Sequence, residues 1–254
     1  NPKDLEFFRR VGELKLRHAR IIAFGSTCKV GANPAEDAQL ASLLGANTPA
    51  VAIFGKTWDY HATAILRTTL EENLAMIGDT IAFFKGQGKE VVFDAEHFFD
   101  GYKNDPAYAI EALLAAQAGG ADCLALCDTN GGTLPYEIQE IVTDVRQKLR
   151  IPLGIHCHND SGLAVANSLM AVHAGARQVQ GTFLGYGERC GNANLATIIP
   201  NLQLKMGFHC LAEEELQKLT SSAIRIAEIS NYALTGREPF VGKSAFAHKG
   251  GMHI

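Results

Sequence analysis

Apolar residues along this chain fall into short blocks separated by longer segments with helical spacing. Residues 21–26 (Ile-Ile-Ala-Phe-Gly-Ser), 49–55 (Pro-Ala-Val-Ala-Ile-Phe-Gly), 90–95 (Glu-Val-Val-Phe-Asp-Ala), 123–127 (Cys-Leu-Ala-Leu-Cys), 152–158 and 178–184 are mostly apolar at successive positions. That is the pattern of strands buried on both faces of a parallel sheet. Helices are expected over residues 2–19, 33–45, 105–117, 134–149, 162–173 and 195–204. Another is expected over 60–85, broken near 68–72, and a last one over 212–234. Asn33-Pro34 and Asp105-Pro106 place a capping side chain just before a proline suited to the first turn. Glu213, Glu214 and Glu215 put negative charge where a helix N-terminus favours it.

Six strands alternating with helices, spaced about 30 residues apart, predict an α/β fold with a parallel sheet. A TIM barrel needs eight strands, so two architectures fit: an open six-stranded sheet, or a (β/α)8 barrel whose first two strands lie upstream of residue 1. The chain opens inside a helical pattern, which favours the barrel. On that reading residues 1–210 supply strands three to eight of the barrel. Residues 211–254 then begin a helical linker subdomain.

Composition narrows the function classes. A chain of 254 residues, 47% hydrophobic, can bury one large core. A formal net charge of −4 and the lack of any Lys/Arg run argue against a nucleic-acid partner. No apolar stretch has the length of a membrane span, and the first residues do not read as a signal peptide. The six cysteines, at 28, 123, 127, 157, 190 and 210, form no C-x-x-C pair, which points to a reduced, cytoplasmic setting.

The chemistry concentrates where strands end. In parallel α/β folds ligands meet the carboxyl ends of the strands. Those ends read Ser26-Thr27, Lys56-Thr57, Asp94-Ala95-Glu96-His97, Asp128-Thr129-Asn130, His156-Cys157-His158-Asn159-Asp160 and Gly185-Tyr186-Gly187-Glu188-Arg189. Each alone reads as a cap or loop residue; together on one rim they indicate an active site. His156 and His158 are two apart on a strand and so share a face, a common start for a divalent-metal site. Glu96 follows Val91-Val92-Phe93 closely, and desolvation there would raise its pKa toward a value useful in proton transfer. Asp94 shares its strand face and is a weaker, substrate-facing candidate. Asp128, Thr129 and the following Asn-Gly-Gly also fit a cap and turn. The glycine-rich stretch 185–192 lacks the spacing of a dinucleotide fingerprint or a P-loop, and is expected to be a tight loop returning Asn192 toward the metal.

The motifs His156-x-His158-Asn159-Asp160, Gly185-x-Gly187-Glu188-Arg189-x-Gly191-Asn192 and Asp128-Thr129 together resemble the metal-dependent acyl-CoA condensing and cleaving barrels. That family includes 2-isopropylmalate synthase, homocitrate synthase, citramalate synthase and hydroxymethylglutaryl-CoA lyase. Phe24-Gly-Ser-Thr-Cys28, residues 66–73 (Leu-Arg-Thr-Thr-Leu-Glu-Glu-Asn) and Phe93-Asp-Ala-Glu-His97 look most like its bacterial citramalate synthase branch. The resemblance implies His156 and His158 as metal ligands, with Asn192 on or beside the metal. It further implies Thr129 as holder of the 2-oxo acid carboxylate and Glu96 as a proton-transfer residue. The tail Phe246-x-His248-x-Gly250-Gly251-Met252-His253 is similar to the start of the segment after the barrel, with His253 assisting enolisation. The family's Asp-Arg-Glu, which supplies a metal-ligating aspartate and an arginine, does not occur in these residues and is expected upstream.

The implied activity is a Claisen condensation of acetyl-CoA with pyruvate to give (R)-citramalate and CoA. Mg or Mn, with Zn as an alternative, is the implied metal, and a homodimer the implied assembly. The alternatives are 2-oxoisovalerate as acceptor, a lyase running the reverse cleavage, and an inactive barrel serving as an interaction module.

Overall fold

The computed structural model describes residues 2–248. Six parallel strands form one sheet in chain order: β1 (Ile22–Ser26), β2 (Ala50–Lys56), β3 (Glu90–Glu96), β4 (Cys123–Asp128), β5 (Leu153–Cys157) and β6 (Gln178–Gln180). The connecting helices are α2 (Ala38–Gly45), α3 (Leu70–Gly86), α4 (Phe98–Asn104), α5 (Pro106–Ala118), α6 (Pro135–Lys148) and α7 (Ala164–His173), with α1 (Pro2–Gly12) ahead of them. Crossovers between parallel strands are right-handed almost without exception. A strand order that never reverses therefore puts every connecting helix on the same face, as in a barrel rather than a doubly wound sheet.

The two sheet faces differ accordingly. The outer face presents Val51, Ile53, Phe93, Leu124, Leu126 and Ile155 to the helices, and these join Leu40, Ile77, Phe84, Leu113, Ile138 and Val145 in the main core. The inner face is built in rows fixed by the register. Above a bottom row of Ile22, Ala50 and Glu90, the row Phe24–Ala52–Val92–Cys123 is apolar. The next runs Phe54–Asp94–Ala125–Gly154–Gln178, and the top row holds Lys56 beside Glu96 and Cys127–His156–Gln180. From that apolar row upward, polarity rises toward the carboxyl rim. Among the described residues, no helix is long and apolar enough to cross a membrane.

Several elements end earlier than their periodicity predicts. Helix α1 stops at Gly12 instead of running to residue 19. Strand β6 stops at Gln180, because from Thr182 the chain pairs with the returning segment at Asn194. The expected break near 68–72 is an extended Thr69 that caps α3, its side chain accepting from the Glu72 N–H. The segment expected as one helix over 212–234 is two, α9 (Glu213–Leu216) and α10 (Leu219–Ile229), following α8 (Leu195–Pro200). Asn231 in the left-handed region (φ 53°) closes α10 early. Leu219 and Ala223 of α10 pack with Ala196, Val241, Phe183 and Leu184 in a small separate cluster.

Helix α4 does not show in the periodicity, yet it shapes the rim. Phe98 and Phe99 are fully buried, and Gly101 lies so close to the strand-β2 exit that a Cβ there would stand 2.6 Å from the Thr57 carbonyl oxygen and 2.9 Å from the Trp58 Cα. Both obstacles are backbone and cannot swing aside. Gly101→Ala is therefore expected to cost about 1–3 kcal/mol, read as a lower denaturant midpoint at unchanged m-value; an unmoved midpoint would contradict the close approach.

At the opposite end of the sheet, Asp122 accepts from Lys85 Nζ at 2.9 and 2.8 Å and from the Val91 N–H at 2.7 Å. Burial opposes its charge, but Lys85 and the Val91 N–H outweigh that and hold its carboxyl below the usual range. A depressed folded pKa stabilises the fold above the unfolded value of about 3.9 and loses that contribution as pH falls through the folded value. Because the pair is partly exposed and screened, Asp122→Asn is expected to lose about 0.5–1 kcal/mol near neutral pH. That difference from the unsubstituted chain should disappear in acid, as measured by thermal unfolding across pH.

Candidate active site at the carboxyl ends of the strands

The top row of the inner face and the loops beyond it bring most of the candidate residues together. His156, the fourth residue of β5, faces inward because strand side chains alternate. Its Nδ1 lies 2.8 Å from Gln180 Oε1, and Gln180 Nε2 donates to Asp94 Oδ1 at 2.7 Å. Asp94 is thus buried and bonded to a side chain of β6, three strands along the sheet. Burial pushes its carboxyl up, against the pull of the Gln180 amide and of His156.

His158 lies just past β5, where its N–H donates to the Asp128 carbonyl at 3.2 Å. The His156 and His158 ring centroids are 5.1 Å apart. Burial, then the charges of His156 and Arg189, hold the His158 imidazole below its usual pKa. Loop 185–192 folds back so that Asn192 forms an antiparallel bridge with His158. The Asn159 N–H donates to Gly191 O at 2.9 Å, and Asn192 Nδ2 donates to Tyr186 O at 3.0 Å.

Two buried polar atoms of this cluster, His158 Nδ1 and Asn192 Oδ1, have no hydrogen-bond partner. Buried polar atoms normally find one. Two imidazoles and an amide oxygen are donors suited to a divalent cation, and the orphaned pair fits the placement of one here. Among the described residues no group of three or more His, Cys, Asp or Glu could hold a metal, so these three supply only part of a coordination shell.

Thr129 follows β4, the strand that pairs with β5. Its hydroxyl oxygen accepts the His97 N–H at 2.9 Å, and its carbonyl accepts Arg189 Nη2 at 2.7 Å. Arg189 also grips Asp160 with a forked pair at 2.8 and 2.9 Å. One guanidinium therefore ties together the loops after β4, β5 and β6. Asp128 is not a surface turn residue. It is 1% exposed and accepts the Thr133 hydroxyl at 2.8 Å and the Thr133 N–H at 3.3 Å, while burial drives its carboxyl up. These bonds fix the turn that presents Thr129.

Glu96 differs from the sequence expectation. It is part-buried, but it pairs with Lys56, so its environment is a cation across the row rather than a purely apolar wall. His97, next along, adopts φ 54° and ψ 32°, a conformation that is uncommon for a residue with a side chain. Its ring lies 4.5 Å from His61, and its Nδ1 lies 3.3 Å from Asp100 Oδ2. Trp58 stacks on His61 at 4.8 Å, and Trp58 Nε1 and His61 Nδ1 are two further buried polar atoms without partners.

The structure thus gathers His156, His158, Asn192, Asp94, Glu96 and Thr129 along one rim, and His253 lies outside the described residues. Sequence reasoning gave no role to Gln180, which sits two residues from Gln178. Polar side chains on alternate positions of the last strand were the available signal. Lys56 and His97 stood among the strand-end residues, but nothing in the sequence shows that one pairs with Glu96 and the other holds Thr129.

Residues 2–225 match the HMGL-like family. The whole chain is 57% identical to an (R)-citramalate synthase of Aquifex aeolicus, covering 48% of that protein. It is 55% identical to an (R)-citramalate synthase of Synechocystis sp., again over the whole chain and 48% of the relative. A probable 2-isopropylmalate synthase of Methanosarcina acetivorans is 37% identical over 79% of the chain and 38% of that protein. The chain spans about half the length of these (R)-citramalate synthases. Among solved structures, the HMG-CoA lyase of Bacillus subtilis superposes with a TM-score of 0.73 at 17% identity, covering 91% of this chain and 78% of the lyase. At that identity the lyase speaks for the barrel fold alone. With most of its length matched and whole-length identity to these synthases, the chain belongs to the HMGL-like family.

Proposed function

We propose that this chain forms the catalytic barrel of an (R)-citramalate synthase, which condenses acetyl-CoA with pyruvate and releases CoA. The observation that carries the reading is the single rim, at the ends of β3, β4 and β5 and the loop after β6, that holds Glu96, Thr129, His156, His158 and Asn192. Identity of 48–57% over the whole chain to five (R)-citramalate synthases supports it. Residues 1–210 would be the barrel and 211–254 the start of a helical linker. On that division, α10 of the linker docks on Phe183, Leu184 and Ala196 of the barrel part.

His156, His158 and Asn192 Oδ1 are the groups that would hold a divalent cation, Mg, Mn or Zn. Bound there, it supplies Lewis-acid polarisation of the acceptor's keto group. The chain's own residues do the rest. Thr129 already accepts the His97 N–H on its oxygen, so its hydroxyl proton is free to be donated to the acceptor carboxylate. Asp94 lines the inner face below. Lys56 holds Oε2 of Glu96 and leaves the other carboxylate oxygen to take a proton from the thioester methyl, with His253 assisting. The enolate carbon attacks the keto carbon of pyruvate, and the alkoxide takes a proton. Water then hydrolyses the thioester, leaving citramalate and the CoA thiol. A homodimer in the cytoplasm completes the proposal. Among the described residues every cysteine is a free thiol, which suits a reducing compartment.

Two outcomes are expected. Full-length protein given acetyl-CoA, Mg or Mn and a panel of 2-oxo acids should release free thiol with pyruvate and little with 2-oxoisovalerate. The reverse preference would assign it the 2-isopropylmalate reaction, and release with neither would overturn the synthase reading. His156→Ala should lower both metal affinity and kcat by at least about 10–100-fold, since loss of a ligand costs no less than loss of the group that orients it. A fall of less than about tenfold would contradict the ligand role.

A further inference from the structure

We infer that Gln180 is a positioning residue that, together with Asp94, sets which ring nitrogen of His156 carries the proton. The inference rests on the reading of His156 as a ligand and goes beyond it, because it assigns the orientation and tautomer of that ligand to two other strands. The Gln180 NH2 group donates to Asp94 Oδ1 at 2.7 Å, an oxygen able to accept. That fixes the amide's direction and points Oε1 at His156 Nδ1, 2.8 Å away. An amide oxygen cannot donate, so Nδ1 must carry the hydrogen, and in the neutral ring the lone pair is then on Nε2.

The chain of three side chains crosses β3, β6 and β5. Each is part-buried or buried, so each bond resists exchange with water. Gln178, the other inward amide of β6, makes a useful contrast. Among the described residues its Oε1 receives the Cys123 thiol, at 3.5 Å, a weak donor. The row at Gln180 is therefore distinct from the amide-lined row beneath it. A histidine held with Nδ1–H committed presents Nε2 to a cation without a proton to displace and without a free choice of ring flip. Groups that orient a metal ligand in this way typically contribute 10–100-fold to metal affinity.

The test uses the full chain labelled with 15N at histidine and stripped of metal with a chelator. Long-range 1H–15N correlation, at a pH where the imidazoles are neutral, reports which nitrogen carries the proton. Loss of a signal in His156→Gln assigns it. The expected result is His156 as the Nδ1–H form in the unsubstituted protein. In Gln180→Leu it should change toward the Nε2–H form that unconstrained imidazoles favour, with a 10–100-fold loss of Zn affinity by chelator competition. Asp94→Asn keeps the shape but offers an amide that can face either way, so it should give a mixture of forms and a smaller loss. This second variant carries the test if Gln180→Leu does not fold. A merely structural role for Gln180 would lower stability without changing the tautomer. Finding Nε2–H in the unsubstituted protein, or an unchanged tautomer and Zn affinity within twofold in the variants, would overturn the inference. Finding Nδ1–H in a protein whose His156 and His158 signals ignore added Zn would support the relay and overturn the metal reading instead.

Discussion

The consecutive parallel ladder is the constraint on which everything else depends. Six strands paired in chain order with right-handed crossovers leave no choice of side for the helices. One face must be covered by apolar packing and the other becomes an interior. Period-two alternation then sorts the residues of each strand without further instruction: Val91, Phe93 and Ala95 of β3 go to the main core, while Val92, Asp94 and Glu96 go inward.

Within that interior, register decides chemistry. Asp94 shares a row with Phe54 and Ala125, where burial raises its carboxyl. One row up, Glu96 stands beside Lys56 and His156 beside Gln180. Moving β3 by one residue would send both carboxylates into the helix-packed core and Phe93 into the interior. The gradient from the apolar row of Phe24, Ala52, Val92 and Cys123 to the polar rim follows from the register that aligns the strands.

The rim itself is held by few, directional bonds. Arg189 spans three loops through its fork on Asp160 and its bond to the Thr129 carbonyl. Planar recognition of this kind is specific to a guanidinium. Buried Asp128 secures the Thr133 turn from below, and the left-handed His97 offers its N–H to the Thr129 hydroxyl. Such a conformation is retained where surrounding contacts over-determine it, and here Asp100, His61 and Thr129 all engage the same residue. The outcome is a hydroxyl proton left free to point toward a ligand.

Local pattern was enough to determine the alternation of strands and helices, the parallel class of the sheet, the strand ends that carry polar groups, and the shared face of His156 and His158. All of these depend on periodicity and on residues adjacent in the chain. It overran the ends of α1, β6 and α10, where a glycine, a switch of pairing partner and a left-handed asparagine intervene, and it missed α4, whose short aromatic segment has no clear period. Only the tertiary structure decided that Glu96 meets Lys56, that Arg189 reaches both Asp160 and Thr129, and that Gln180 joins Asp94 to His156. Those partners lie 24 to 86 residues apart, and they meet because register and crossover geometry bring different strands to the same height, a relation that no local pattern encodes.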